Sequence, residues 1–383
     1  MRFLGYENDN GTVGVRSKVL VMSATSVANN VVEKIAANIS GLTPVTNPQG
    51  RAQYGTDANS NEDYLVNLSQ NPNVYAVLLV GFDRGKTERI RNRMEDKSVR
   101  VESIDIIGKG TVETIRAGSN IALNWVKEST QRKRKEFSLE ELVMGVKCGS
   151  SDTTSGVLTN PIVGRVSDFV SDNGGSVVFG ETIEIIGGER YLIERAATKE
   201  LGDKLLDIVS RVDKTAKELG ITNYLTSSDN IEGGLTTIEE KSLGAIKKSG
   251  SRTIVDVIGL GERVTERGGV TFLHSPSAGP ELLNSLAAAG VVVTIFTTGG
   301  GNPAGNPVMP VIKITANPET AKAMKDNIDV DISEYLRVDK PVEGAVELVK
   351  NELLNVISGK MTSAEILGHN EISVPRKGIW PIV

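Results

Sequence analysis

The chain alternates between short, nearly continuous apolar runs and longer stretches where apolar residues recur at helical spacing. Lys18–Ser23 (KVLVMS) and Val74–Gly81 (VYAVLLVG) are runs of the first kind, which mark strands buried on both faces. Weaker runs at 42–46 and 101–108 predict two more strands. Helical spacing at 27–39, 86–94 and 112–127 places helices between them. Beyond residue 137 the alternation resumes, with strands expected at 144–148, 176–180, 253–258, 269–274, 291–297 and 310–315. Helices are expected at 156–172, 198–219, 236–248, 279–289, 318–326 and 341–357. Strands alternating with helices predict parallel βαβ units. The expected fold is therefore α/β, as two successive doubly wound, mostly parallel-sheet domains. The charged stretch STQRKRK (129–135) separates them, giving 1–137 and 138–383. Residues 1–17 read as a polar, turn-bearing lead-in, and 368–383 as an extended tail that packs Trp380.

Composition narrows the function. The 383 residues carry 43 Lys and Arg against 48 Asp and Glu, a net charge of -5. This acidity, with only 4% aromatics, argues against a nucleic-acid binder, which needs a basic face and stacking platforms. One cysteine and two histidines exclude an internal disulfide framework and a His-rich zinc site. No run of 18 apolar residues occurs, so a cytoplasmic protein with no membrane partner is expected. The 40 glycines fall largely in polar loops and suit close backbone approach to a small anion.

Three stretches carry chemistry. The first apolar run past residue 143 ends in Lys147-Cys148-Gly149-Ser150-Ser151-Asp152, and the next delivers Glu181-Thr182 to a helix start. Polar groups at strand ends that feed helix N-termini build anion sites in open α/β sheets. Cys148 beside Lys147 is either a reactive thiol or a small buried strand residue. The second stretch, IEGGLTTIEEKSLGA (231–245), puts Glu240 and Lys241 in the first turns of a capped helix. They serve either in proton transfer or as an ordinary exposed ion pair. The third, FTTGGGNPAGNPVMP (296–310), is a buried strand followed by a glycine–proline loop. Its consecutive N–H groups could form an anion nest, with Thr297, Thr298 and Asn302 adding hydrogen bonds. His274 also stands at a strand end. No Walker, GxSxG or HExxH motif is present, and GTVGVR (11–16) is not a dinucleotide fingerprint.

Together NGTVGVRSKVLV (10–21), VKCGSSDTTSGVLTNPIVGRVSD (146–168), GGSVVFGETIEIIGGE (174–189), NIEGGLTTIEEKSLGAI (230–246) and FTTGGGNPAGNPVMPVIKITAN (296–317) resemble the altronate/galactarate dehydratase family. That family includes the large subunit of sulfolactate sulfo-lyase. The resemblance implies a lyase, a carbon–oxygen hydro-lyase on a hydroxylated carboxylic acid such as a sugar acid, giving a 2-keto-3-deoxy type product. Its chemistry would be abstraction of the proton alpha to a carboxylate with loss of a β-substituent. On this reading Lys241, Glu240 and Glu181 are the acid/base groups. Lys147, Cys148, Ser151 and Asp152 line the site. Thr297, Thr298, Asn302 and the Gly299, Gly300 and Gly301 backbone bind a carboxylate, and Arg51 and Arg84 hold a second anionic group.

Two departures qualify the resemblance. Relatives carry an HPxGC-type loop where this chain has Asn47-Pro48-Gln49-Gly50-Arg51. They also tend to carry a cysteine where it has Gly81-Phe82-Asp83-Arg84. Iron, the metal of many relatives, would lose soft ligands there, which leaves magnesium or manganese on oxygen ligands, or no metal at all. The small N-terminal domain of many relatives has no counterpart ahead of GTVGVR. Either a separate small subunit as partner or a variant that works without one is expected, in a homo-oligomer. The alternatives are a non-catalytic or regulatory paralogue that binds a sugar-acid-like anion, and a sulfo-lyase subunit.

Overall fold

The computed structural model describes residues 1–50, 55–221 and 228–375. Arg51 and Trp380 lie outside them.

The first unit runs β1 (Arg2–Glu7), β2 (Val13–Gly14), β3 (Lys18–Ser23), α1 (Asn29–Ala37), β4 (Leu42–Val45), α2 (Gly55–Ser69), β5 (Val74–Gly81), α3 (Arg84–Glu95), β6 (Val101–Asp105), α4 (Thr111–Ser129) and β7 (Lys135–Ser138). Four strands form a parallel sheet in the order β4-β3-β5-β6. Alternate residues of β3 and β5 face opposite sides. Val19, Val21 and Leu78 pack with Ile35 of α1 and Trp125 of α4. Leu20, Met22 and Leu79 pack with Leu65 of α2 and Ile90 of α3. The sheet is thus doubly wound.

The second unit runs β8 (Val143–Gly149), α5 (Asn160–Asp172), β9 (Ser176–Phe179), α6 (Glu189–Ile193), α7 (Lys199–Glu218), α8 (Ser228–Glu232), α9 (Ile238–Ile246), β10 (Ile254–Ile258), β11 (Gly269–Leu273), α10 (Gly279–Ala289), β12 (Val293–Thr298), β13 (Val311–Thr315), α11 (Pro318–Ala323), β14 (Val330–Asp331), α12 (Val342–Ile357) and α13 (Ser363–Leu367). Seven strands form a parallel sheet ordered β10-β11-β9-β8-β12-β13-β14. One face is covered by α5, α7 and α12, which contribute Val166, Ile208 and Leu353 to the core. The other is covered by α10, whose Leu282, Leu283 and Leu286 share a core with α2 and the first sheet. Helices α2 and α10 are therefore the filling between the two sheets.

One expectation changes and one element is new. The lead-in is not a turn segment: β1 pairs antiparallel with both β2 and β7, so a three-stranded ribbon ties residue 2 to residue 138 across the charged connector. Helix α2, GTDANSNEDYLVNLS, was not legible, because its polar first half hides the one face that reaches the core.

Buried amides join the units. Asn73 Oδ1 accepts the N–H groups of Val15 and Arg16 at 2.8 and 3.0 Å, and its Nδ2 donates to the carbonyls of Val292 and Val308 at 2.9 and 3.2 Å. One side chain, fully buried, thereby satisfies four backbone groups that would each be costly to leave unpaired. No helix among the described residues is long and apolar enough to cross a membrane.

Candidate active site

In the large sheet the order reverses beside β8. The chain leaves β8 for β9 through α5 on one face and reaches β12 from α10 on the other. Ligand crevices in open α/β sheets form at such a point, outside the carboxyl ends of the strands. Here the ends of β8, β9 and β12 hold a buried cluster of charges.

Lys147, the third-last residue of β8, is buried and donates to Glu181 Oε1 at 2.8 Å, to the Cys148 carbonyl at 2.7 Å and to the Ser277 carbonyl at 3.0 Å. Lys248 lies in the single tight turn that extends α9 and reaches Glu181 Oε2 at 2.7 Å and Cys148 Sγ at 3.2 Å. Glu181 follows β9 with a left-handed backbone (φ 70°), held by its N–H donating to Ser275 Oγ at 3.0 Å. A non-glycine residue in that region costs about 1–3 kcal/mol, the kind of strain found at functional sites. One turn on, Glu184 Oε2 accepts from Cys148 Sγ at 3.1 Å, and its Oε1 lies 3.4 Å from Lys241 Nζ. Lys241 also donates to Asn230 Oδ1 at 3.0 Å, while Asn230 Nδ2 donates to the Ser151 carbonyl at 2.9 Å.

The charges are graded by these neighbours. Burial alone would raise the Glu181 carboxyl, but Lys147 and Lys248 outweigh it and hold it well below the usual carboxylate range. Burial likewise disfavours charge on Lys248, yet the facing acidic groups carry its pKa upward. Lys241 follows the same pattern, opposed by burial and raised by Glu184. Cys148 moves up, first through burial and then through Glu181 and Glu184, so it stays a neutral thiol. Three ammoniums and two carboxylates leave the cluster one positive charge in excess.

A cleft of about 370 Å³ opens onto this cluster, lined among others by Lys147, Cys148, Ser151, Glu184, Asn230 and Lys241. Asn302 and Gly279, the first residue of α10, also line it, close to the Lys147 side chain. Glu181 and Lys248 stand behind the front row.

The structure distributes the expected site residues unevenly. Lys147, Cys148, Ser151, Glu181, Lys241 and Asn302 come together. Glu240 points to solvent and caps its own helix, accepting from Thr236 N and Thr236 Oγ1 at 2.8 Å each. Asp152 is buried but caps the turn after β8, accepting from Ser155 N and Oγ and Thr154 Oγ1, and from Asn317 Nδ2 at 2.9 Å. The Gly299 and Gly300 N–H groups donate to the Ser150 carbonyl at 3.2 and 2.8 Å, and Thr298 Oγ1 accepts from Gly301 N. The loop's amides thus bind the chain itself. Thr297 donates to Asn160 inside the sheet edge. Arg84 begins α3 in the first unit and is exposed. Asn47, in the loop that departs from HPxGC, makes a reciprocal amide pair with Asn61 at 3.1 and 3.0 Å.

Glu184, Lys248 and Asn230 were missed. The signal was present as spacing: Glu184 lies three residues after Glu181 on a tight turn, and Lys248 lies two helical turns after Lys241.

Cys148 Sγ and the carboxylates of Glu181 and Glu184 lie within 4.8 Å of one another, so this group could hold a metal ion. Its surroundings fit a dication poorly. Lys248 touches both the thiol and Glu181, Lys147 takes the other Glu181 oxygen, and Lys241 faces Glu184. The donors are already balanced by ammoniums, and the thiol is held protonated.

A buried ion cluster opening on a cleft at a sheet switch point is the place where open α/β folds hold small ligands. Residues 5–130 match the family described as D-galactarate dehydratase/altronate hydrolase, second domain, and residues 139–380 match D-galactarate/altronate dehydratase, C-terminal. The chain belongs to the galactarate/altronate dehydratase family. It is 38% identical to the (2R)-sulfolactate sulfo-lyase subunit beta of Chromohalobacter salexigens, over 98% of this chain and 97% of that protein. It is 30% identical to the altronate dehydratase of Escherichia coli over 98% of this chain and 77% of that protein, and 29% identical to that of Bacillus subtilis over 98% and 78%. These relatives are dehydratases and lyases, and a lyase function for this chain rests on them.

Proposed function

We propose that this chain is a lyase that removes the proton alpha to the carboxylate of a hydroxylated acid and expels the β-substituent. The observation that carries the reading is the Lys241–Glu184 pair at the open face of the cleft, backed by the buried Lys147–Glu181–Lys248 row. Glu184, as a carboxylate, takes the α-proton. The electron pair of that C–H bond forms the double bond, and the β-bond breaks. Lys241, held charged, gives its proton to the departing oxygen or sulfite. The enol that remains tautomerises to a 2-keto acid. The excess positive charge of the cluster favours an anionic substrate and the enediolate that develops from it. The substrate's acid group lies toward Asn302 and Gly279, where the N-terminus of α10 meets the cleft.

The substrate classes to test are altronate, galactarate and (2R)-sulfolactate. Lys241→Ala and Glu184→Gln are each expected to lower kcat by roughly 10²–10⁴-fold on the acid that the wild-type chain turns over. Unchanged turnover in both variants would sink the reading. Calorimetric binding of an acid that the wild-type protein never turns over supports the regulatory paralogue instead. A second subunit is part of the proposal, because the relative that this chain covers almost completely is itself named a subunit. Assays with a small partner chain supplied should then exceed those without it.

A further inference from the structure

Lys241 reaches the cleft only because α9 is seated deeply against α5, and the seat has two parts. The first is close backbone approach. A side-chain carbon on Gly244 would stand 3.0 Å from the Cα of Gly156, and one on Gly164 would stand 2.1 Å from the Lys247 carbonyl oxygen. Gly156 lies in a one-turn π-helix, Ser155–Thr159, that runs into α5. Such a widened turn re-aims the helix beyond it. The second part is polar and buried. Thr297 Oγ1 donates to Asn160 Oδ1 at 2.7 Å, and Asn160 Nδ2 donates to the Gly244 carbonyl at 3.1 Å. Gly244 is three residues beyond Lys241, one turn along the same helix. Thr297 is fully buried and Asn160 is 2% exposed.

We infer that Thr297 and Asn160 are positioning residues that set where the Lys241 ammonium stands relative to Glu184. The chain of contacts runs from the end of β12, through the first residue of α5, to the backbone of α9. It is a fixed strut between the strand edge and the helix that carries the proton donor. Neither side chain lines the cleft, and the one bond from Thr297 Oγ1 toward it, 3.2 Å to the Lys147 carbonyl, is to backbone, so neither needs to contact substrate to govern turnover. The inference rests on the reading of Lys241 given above.

Crystal structures and kinetics of Thr297→Val and Thr297→Ser test it. Valine keeps the shape and removes the hydroxyl. Asn160 then loses its donor, α9 shifts, and the Lys241 Nζ–Glu184 Oε1 distance lengthens from 3.4 Å to beyond salt-bridge range. With the acid turned over by the wild-type chain, kcat falls roughly 10- to 100-fold at a KM near wild type, the scale of a misplaced catalytic group. Serine keeps the hydroxyl and restores both distance and kcat. Asn160→Asp, which keeps the acceptor for Thr297 but cannot donate to Gly244, behaves as the valine variant does. An unmoved α9 in Thr297→Val overturns the inference, whatever the kinetics. Full turnover in Lys241→Ala with α9 displaced in Thr297→Val sinks only the assignment of Lys241 to the chemistry.

Discussion

Single side chains in this protein take roles that their sequence neighbours do not announce. Glu240 and Lys241 are adjacent, yet one faces solvent as a cap and the other is buried against Glu184. Which side of a helix meets the sheet decided between them, and a nine-residue helix shows that only when folded. Lys147, Cys148 and Glu181 were legible because each ends an apolar run, where a strand must stop and its last side chains face the crevice. Glu184 and Lys248 lie past those ends, one short turn after Glu181 and two turns after Lys241, a spacing that exposed charges share as readily as buried ones. His274 carries a testable consequence. Burial, then Arg211, pushes its pKa from 6.5 down to about 4, and its Nδ1 lies 2.9 Å from Thr182 Oγ1. The unfolded chain takes up this proton more readily than the folded one. Stability from this group is therefore full above about pH 6.5 and is lost as pH falls toward 4, by up to ~3 kcal/mol. In His274→Gln the fall in melting temperature across that window should be shallower, and a profile identical to wild type rejects the assignment.

At the scale of elements, parallel strands were the readable part. β5 and α10 fall on the residues expected of them, because a run buried on both faces and an apolar helix opened by Gly279-Pro280 and closed by Gly290 leave strong patterns. The edge ribbon β1–β2–β7 and the polar helix α2 were not readable, since their order comes from long-range pairing and from a partner helix, α10. The turn after β8 shows how a motif can be read from sequence while its contacts are not. Asp152 is expected to line the site and the glycine loop to bind a carboxylate, and in the structure the two also hold each other's elements. Asp152 caps one turn and reaches Asn317 just before α11, and a side chain on Gly299 would collide with the Asp152 carboxylate at 2.2 Å. Asp152→Ala should therefore lower the unfolding free energy by roughly 1–3 kcal/mol, as buried donors lose their acceptor. Turnover of the folded variant should stay near wild type. A loss of kcat as deep as that of Lys241→Ala would place Asp152 in the reaction instead.

Across the whole molecule, the GTVGVR segment turns out to be an anchor. Arg16 forms a two-pronged pair with Glu365 of α13, both bonds at 2.8 Å, and donates as well to the carbonyls of Val15, Val356 and Lys360. Burial opposes the charge on Glu365, and Arg16 and Lys18 outweigh it. Removing Arg16 leaves the buried Glu365 only Lys18 at 3.6 Å and the bonds from Thr362, and leaves the Val356 and Lys360 carbonyls without this donor. Arg16→Ala is expected to cost about 3–5 kcal/mol in urea unfolding, whereas a loss below about 1 kcal/mol would mean that water reaches Glu365. No local pattern in the sequence could pair residue 16 with residue 365. The count of one cysteine was legible from the start, and its placement gives it a use. Cys148 is fully buried at the centre of the charge cluster, and the chain has no other thiol. A thiol-reactive dye added to the native protein therefore meets no background. Each labelled molecule is one in which the packing that covers Cys148 at the floor of the cleft has opened, and the labelling rate is a clock for that opening.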